Sequence, residues 1–348
     1  MIRMDFKGKK ILLISVRFFG YEKAIVERLQ ERGATVDFFD DRPSNSVLQK
    51  GIIRVFRSFL VYQIQKYYRS VLKKMKHKKY DYFLLIKGEA IPLSFIKKIK
   101  TENPGMKMIA YTYDSLHEHP RFADFIPYFD KSITFDRTDA LSNNMGFRPL
   151  FFLDQYRKSH SHSQPEVDVT FIGSAHTDRY LIGEKVRKAC DKAGLTSFFY
   201  YYAPGKTALL LKRIFDRNFK DFDLLKASFN KLSHSEISRY YQQTKAVLDI
   251  NKPFQNGLTM RTFEVLASGK KLITFNEDIK NYPFYHPQNI LITNREQPEI
   301  PQSFLASKTV SILEETLQMM SLDSWLNGVF FEDQRNYWFS QKNTDQNF

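Results

Sequence analysis

Short apolar runs alternate with amphipathic segments along the whole of this chain, and this alternation restricts the folds that it can adopt. In the first half, five runs have the length and the flanking turn residues of strands, at residues 10–16, 35–39, 82–86, 107–111 and 131–135. Helical spacing lies between them, at residues 21–32 and roughly 52–75. Strands that alternate with helices predict a parallel sheet with helices on both faces.

The alternation is interrupted once and then begins again. Residues 158–166 are polar and serine-rich and contain Pro165, which is typical of a linker. Its two histidines, His160 and His162, have no carboxylate or cysteine cluster beside them, so a solvated linker is favoured over a metal site. We predict an α/β chain with Rossmann-like domains at residues 1–157 and 167–322. A helical tail at residues 323–348 could pack back on the first domain.

The composition limits the partners and the compartment. The chain has 53 Lys and Arg and 38 Asp and Glu, a net charge of +15, which predicts an acidic partner such as phosphate, anionic lipid or nucleic acid. The single cysteine, Cys190, excludes an internal disulfide and fits a reducing compartment. The first apolar run is too short for a signal peptide, and no run approaches the length of a membrane span. We therefore expect a cytoplasmic protein.

Residues 257–276 read as a loop, a short helix, a glycine stop and a strand. Thr259 could cap the helix with its hydroxyl, and Gly269 could end it. One helical face carries four apolar residues, Met260, Phe263, Leu266 and Ala267. Arg261 and Glu264 lie outside that face. They form either an ordinary surface pair or a site in which the helix N-terminus attracts phosphate and the carboxylate accepts from ribose hydroxyls.

This layout resembles the GT-B architecture of group 1 glycosyltransferases and of capsule, lipopolysaccharide and spore-maturation-type relatives. The similarity is strongest over residues 247–276. It implies two Rossmann-like domains that face a central cleft, with the acceptor side in the first and nucleotide-sugar binding in the second. Glu264 is then expected to hold the donor ribose, and Arg261 to neutralise part of the charge of the diphosphate. Asn256 stands where the family has its first acid, which leaves retention or inversion open.

The resemblance also implies further donor contacts. Backbone N–H groups of Gly257, Leu258 and Thr259 would lie near the diphosphate. The first loop of the second domain would add four residues, Gly173, Ser174, His176 and Arg179, unless it is a routine strand-to-helix turn capped by Asp178 or Thr177. Lys206 is either a second cation or a solvated turn residue. The signature requires no metal and no cofactor, and the nucleotide sugar is the substrate.

Strand ends in the first half supply candidates for a catalytic base. If the reaction inverts, one side chain must take the proton of the acceptor hydroxyl. Glu89 and Asp114 each follow an apolar strand and are the preferred candidates, with Asp136 and His117 nearby. Each could instead be a cap or turn residue.

Residues 51–80 contain nine Lys and Arg and no acid. An apolar stripe is predicted from Ile53, Phe56, Leu60, Ile64, Tyr67, Val71 and Met75. A basic stripe of Lys66, Arg69, Lys73 and Lys76 lies opposite. We expect the apolar stripe to pack on the sheet and the basic stripe either to be solvated or to contact an anionic membrane.

These observations predict a metal-independent glycosyltransferase that moves a sugar from a nucleotide-diphosphate donor to a glycan or lipid-linked acceptor in bacterial surface polysaccharide synthesis. It would be cytoplasmic or peripheral on the inner face of the membrane, with no nucleic acid partner. A non-catalytic nucleic-acid-binding protein and a sugar-nucleotide epimerase are the alternatives.

Overall fold

A computed structural model describes residues 5–44, 60–158, 165–175 and 178–340. The chain divides into two units. Unit 1 consists of Met1–Pro149 together with Asp323–Trp338, and unit 2 consists of Leu150–Leu322 together with Phe339–Phe348. The division between them falls at Pro149, ahead of the predicted linker at 158–166, much of which lies outside the described residues.

Unit 1 contains a sheet of six parallel strands. They are β1 (Lys10–Ser15), β2 (Thr35–Asp40), β3 (Tyr82–Ile86), β4 (Lys107–Thr112), β5 (Lys131–Thr134) and β6 (Gly146–Phe147), in the order β2-β1-β3-β4-β5-β6. The strand order reverses direction between β1 and β3, so the carboxyl ends of these two strands are where an open α/β sheet binds ligands.

The helices of unit 1 follow the apolar spacing of the sequence. They are α1 (Tyr21–Glu31), α2 (Val61–Met75), α3 (Leu93–Glu102) and α4 (Arg137–Ser142). Ile64, Tyr68, Val71 and Met75 form the buried face of α2. Tyr68 was not among the predicted apolar residues. Its ring packs in the core against Phe95, and its hydroxyl donates to Asp41, whereas Tyr67 is only half-buried. Residues 51–59, including Ile53 and Phe56, lie outside the described ranges.

The last part of the described chain contributes to unit 1. It contains α11 (Leu322–Phe330) and α12 (Arg335–Phe339). Trp325 meets Tyr111 edge to face with 4.9 Å between the ring centroids. Asp323 accepts from Arg28 at 2.7 Å, and Trp338 is fully buried against Arg148. These residues complete the core on one side of the first sheet.

Unit 2 contains a second sheet of six parallel strands. They are β7 (Val167–Ser174), β8 (Ser197–Tyr202), β9 (Ala227–Ser228), β10 (Thr244–Asp249), β11 (Lys271–Thr274) and β12 (Ile290–Ile292), in the order β12-β11-β10-β7-β8-β9. The order reverses between β7 and β10, so a ligand site is expected where these two strands end.

Six helices accompany this sheet in the described ranges: α5 (Arg179–Lys192), α6 (Lys206–Phe215), α7 (His234–Gln242), α8 (Met260–Ala267), α9 (Gln302–Ala306) and α10 (Glu314–Met319). The sequence pattern predicts a helix from residue 309, but α10 begins only at Glu314. The amide of Asn289 explains the difference, because it bonds both the N–H and the carbonyl of Val310 and holds that residue outside the helix.

Candidate functional site

Asp249 is the last residue of β10, at the reversal point of the second sheet. Its side chain is only 1% exposed. It accepts hydrogen bonds from the hydroxyls of Thr259 (2.6 Å) and Thr262 (3.2 Å), and it pairs with the guanidinium of Arg261 at 3.2 Å. One buried carboxylate therefore fixes the first turn of α8 against the end of the central strand.

Thr259 occupies the N-cap position of α8, as predicted, but it does not cap the helix with its side chain. Its hydroxyl donates to Asp249 instead of accepting from a backbone N–H. The predicted cap bond is wrong because a buried carboxylate is the stronger partner for a hydroxyl donor. The predicted helix end is confirmed, since Gly269 has the left-handed φ of 69°.

Arg261 and Glu264 are not a surface pair. Arg261 donates to the carbonyl of Ile172 at the end of β7 and lies over the ring of Phe171, 5.3 Å from its centroid. Burial acts to lower the pKa of Arg261, but the nearby Tyr241 phenol and Asp249 carboxylate outweigh it, so this pKa lies above its ordinary value. Arg261 is a fixed positive charge at the ends of β7 and β10.

Gly173 makes room for the Phe171 ring and for the guanidinium that lies over it. A Cβ atom at this position would lie 2.7 Å from the ring of Phe171 and 3.3 Å from Nη2 of Arg261. Its φ is unremarkable, so space rather than backbone conformation requires the glycine here. Ser174 follows as the last residue of β7 and is half-buried. His176 lies outside the described residues.

Glu264 lies on α8 and is 4% exposed. Its Oε1 atom is 3.9 Å from Nδ1 of His234, the first residue of α7. The Tyr156 hydroxyl is 2.9 Å from the same nitrogen. Sequence reasoning missed both partners. The capping box of Ser233 and Glu236 marks the start of α7, but only the packing of α7 beside α8 brings His234 to Glu264.

Arg179 and Arg295 add positive charge at the same edge of unit 2. The Nε atom of Arg179 donates to the carbonyl of Ile250 at 3.0 Å. Desolvation lowers the pKa of Arg179 to about 10, and the positive charge of Arg261 contributes. Arg295 follows β12, and its Nη2 atom pairs with Asp178 at 2.8 Å. Arg295 was missed, because nothing in its local sequence indicates that the segment after β12 returns to β10.

The loop between β10 and α8 is held by amide side chains. Asn276, which follows β11, donates from Nδ2 to the carbonyl of Asn256 at 2.8 Å. Gly257 and Leu258 are buried, and a diphosphate contact of their N–H groups stays a prediction. Lys206 is exposed at the start of α6, and its ammonium lies 6.0 Å from the ring of Phe229.

In unit 1, Lys87 joins the two candidate bases. Its Nζ atom is 2.6 Å from Oδ2 of Asp114 and 3.5 Å from Oε2 of Glu89. Arg42 also donates to Glu89. Lys87 has a left-handed φ of 75°, which is unusual for a lysine and turns the chain sharply after β3. The carboxylates thus lie together where β3 and β4 end, beside the reversal point of the first sheet.

The other candidates in unit 1 have different roles. Asp136 caps α4 by accepting from the N–H groups of Thr138 (2.9 Å) and Asp139 (3.2 Å). It is therefore a helix cap, which was the alternative to its being a catalytic base. His117 is exposed. His119 was missed: it is half-buried, its Nε2 atom is 3.1 Å from the carbonyl of Gly88, and burial lowers its pKa.

Solved structures share this fold. An alpha-glucosyltransferase in complex with UDP and a 13-mer DNA containing a central A:G mismatch aligns with a TM-score of 0.57, at 12% identity over 95% of this chain and 97% of its own. Anabaena HepE, in complex with UDP and glucose, aligns with a TM-score of 0.56, at 10% identity over 92% and 97%. A glycosyltransferase from Rickettsia africae ESF-5 aligns with a TM-score of 0.53, at 12% identity over 92% and 96%.

The fold is GT-B. The predicted α/β architecture is therefore confirmed, while the particular likeness to group 1 enzymes stays a prediction. No protein family and no curated protein matches the sequence. At these identities the GT-B neighbours establish the fold, and the chemistry has to be argued from this chain's own residues.

The basic face of α2 is exposed. Lys66, Arg69, Lys73 and Lys76 all point away from the buried side of the helix. Across the described ranges, no helix is long and apolar enough to cross a membrane. Within the same ranges, no group of three or more His, Cys, Asp and Glu is placed to hold a metal ion.

Proposed function

We propose that this chain transfers a sugar from a nucleoside-diphosphate donor. The observation that carries the proposal is the grouping of Arg179, Arg261 and Arg295 at the end of β7 and β10, with the buried Glu264 on the adjoining helix. Guanidinium groups match the oxygens of a diphosphate, and a carboxylate accepts from ribose hydroxyls. One edge of unit 2 therefore has a partner for each half of the nucleotide.

The same grouping suits the departure of the nucleotide. Negative charge develops on the diphosphate as the sugar–oxygen bond breaks, and fixed positive charge lowers the barrier to that step. Arg261 is held by Asp249 and Ile172, so it needs no reorganisation. Arginines supply this charge in our proposal, so nucleotide binding should be the same in EDTA as in Mg²⁺.

Thermal unfolding with a panel of UDP, GDP, ADP and TDP tests the donor site. We expect one nucleotide to raise the melting temperature, since a ligand at 100 times its Kd adds about 2.7 kcal/mol of stability. Glu264→Gln should abolish most of that rise. Glu314→Gln is the control, because Glu314 is exposed on α10 and pairs with the exposed Arg157. A panel without any stabilising nucleotide would contradict the proposal.

We assign the proton of the acceptor hydroxyl to Glu89 or Asp114. Both carboxylates contact Lys87, so an acceptor hydroxyl beside them would meet a base and a cation together. Asn256 has no carboxylate to act as a nucleophile on the donor sugar. Asp114→Asn and Glu89→Gln, tested by product formation at saturating donor, should differ in turnover by about 100-fold or more if only one of them is the base.

The acceptor that we propose is a glycan or a lipid-linked glycan of bacterial surface polysaccharide. The exposed basic face of α2 supports a location on the cytoplasmic side of an anionic membrane, where a lipid-linked acceptor lies. Product analysis separates transfer from epimerisation, because an epimerase changes the donor sugar and needs no acceptor.

Nucleic-acid binding is the second candidate function. The net charge of +15 favours it, and the glucosyltransferase that shares this fold was solved with a 13-mer DNA. Binding of labelled DNA at physiological salt, in the presence and absence of the stabilising nucleotide, decides whether nucleic acid is a ligand, and transfer of labelled sugar to the bound DNA decides whether it is an acceptor.

A further inference from the structure

Arg295 contacts three loops of unit 2: the one before α5, the one after β10 and the one after β11. Its Nη2 atom pairs with Asp178 before α5 at 2.8 Å. Both of its terminal nitrogens lie 3.2 Å from the carbonyl of Asn251, just beyond β10. Its guanidinium also lies over the ring of Phe275, 5.3 Å from the centroid, just beyond β11. Together these contacts fix the position of the Arg295 guanidinium.

Three guanidinium groups lie close together where β7 and β10 end. Arg179, Arg261 and Arg295 are close enough that the other two lower the pKa of Arg179. Asp249 pairs with Arg261 and Asp178 pairs with Arg295. Glu264 on the adjoining helix acts on Arg261 as a third carboxylate, but the three guanidiniums still repel one another, and a bound anion would relieve that repulsion. This arrangement favours a ligand with several negative charges.

The Asp178 carboxylate pairs with Arg295 through one of its two oxygens. It stands at the N-cap position of α5 but makes no cap hydrogen bond. Its Oδ1 atom is buried and has no hydrogen-bond partner among the residues that the structure describes. A phosphate oxygen could replace this carboxylate and make the same charge-assisted bond.

We infer that Arg295 binds the diphosphate of the donor, and that Asp178 holds its guanidinium in position until the diphosphate displaces it. The choice of a nucleoside diphosphate rests on the proposed function. The geometry of Arg295 and Asp178 requires only a diphosphate group, so inorganic pyrophosphate is a probe that does not depend on the base.

Isothermal titration calorimetry tests this on the full chain. The ligands are inorganic pyrophosphate, the nucleoside diphosphate that stabilises the wild type, and the matching nucleoside. Arg295→Gln should weaken both diphosphate ligands by about 10- to 100-fold and the nucleoside by less than about threefold. Asp178→Asn should tighten both diphosphate ligands, because the guanidinium is then free. Arg187→Gln is the matched control, since Arg187 is a half-buried arginine of α5, like Arg295, but pairs with Glu184 and Asp191 on its own helix.

The outcomes separate this inference from the proposed function. If Arg295→Gln matches the control, or weakens the nucleoside as much as the diphosphate, Arg295 is not a diphosphate ligand. If Asp178→Asn weakens binding in a variant that circular dichroism shows to be folded, the displacement is overturned. Neither result contradicts the proposed donor site as long as Glu264→Gln still abolishes nucleotide binding. If no nucleotide binds the wild type, the proposed function fails and the pyrophosphate titration alone decides the role of Arg295.

Discussion

At the scale of single residues, Gly173 leaves the space that the Phe171 ring and the Arg261 guanidinium occupy. Gly173→Ala would put a methyl group 2.7 Å from the Phe171 ring, so this ring, which lies beneath Arg261, must shift, and we expect about 1–3 kcal/mol less stability and weaker nucleotide binding. Urea unfolding and calorimetry measure the two effects. Gly105→Ala is the control, because a Cβ there meets nothing within 4 Å. Unchanged nucleotide affinity would show that Arg261 does not need its present position.

His119 makes the stability of unit 1 depend on pH. Burial lowers its pKa in the folded chain, so between the folded and unfolded values the unfolded chain binds more protons. Stability is therefore complete above the unfolded value of about 6.5 and decreases as the pH falls, with a slope of at most about 1.4 kcal/mol per pH unit. In urea unfolding from pH 7 to 5.5, His119→Gln should flatten this slope, whereas a variant of the exposed His117 should keep it. Equal slopes in both variants would contradict the prediction.

At the scale of elements, α2 has a buried apolar face and an exposed basic face. Its buried residues pack in unit 1, whereas Lys66, Arg69, Lys73 and Lys76 are exposed. Each basic residue near an anionic surface contributes about 1 kcal/mol, so the wild type should float with phosphatidylserine vesicles at low salt and lose most binding when all four become Gln. Gln variants of Lys23, Lys97, Lys98 and Lys188, exposed on other helices, are the control. If the vesicles still bind the variant with all four α2 substitutions, the membrane proposal is wrong.

Sequence patterns predict these elements well and their mutual contacts poorly. The spacing around α8 and the stop at Gly269 are local properties, so the amino-acid sequence alone indicates them. The partners of Thr259 and Glu264 are not local, because Asp249 and His234 lie on other elements and only the packing of α8 against β10 and α7 brings them together. Arg295 escaped prediction for the same reason. The candidate bases were found because each closely follows a strand.

At the scale of the whole molecule, unit 1 depends on residues from the far end of the sequence. Trp325 is 1% exposed and packs on Tyr111, so Trp325→Ala should cost about 3–5 kcal/mol. Hydrogen exchange should show faster exchange in unit 1 and unchanged protection in unit 2. Leu313→Ala, a change at an exposed leucine of unit 2, should leave both units as they are. Uniformly faster exchange would mean that the two units unfold as one.

The division of unit 1 also fixes an order of events during synthesis. The 173 residues from Leu150 to Leu322 must be translated after the first part of unit 1 and before its last part. At about 5–20 residues per second, that interval is about 9–35 s. Through it, the nascent first sheet leaves the surface around Tyr111 and Phe6 without Trp325 and Phe330. Chaperones therefore have a defined period in which to protect a defined apolar surface of the first sheet.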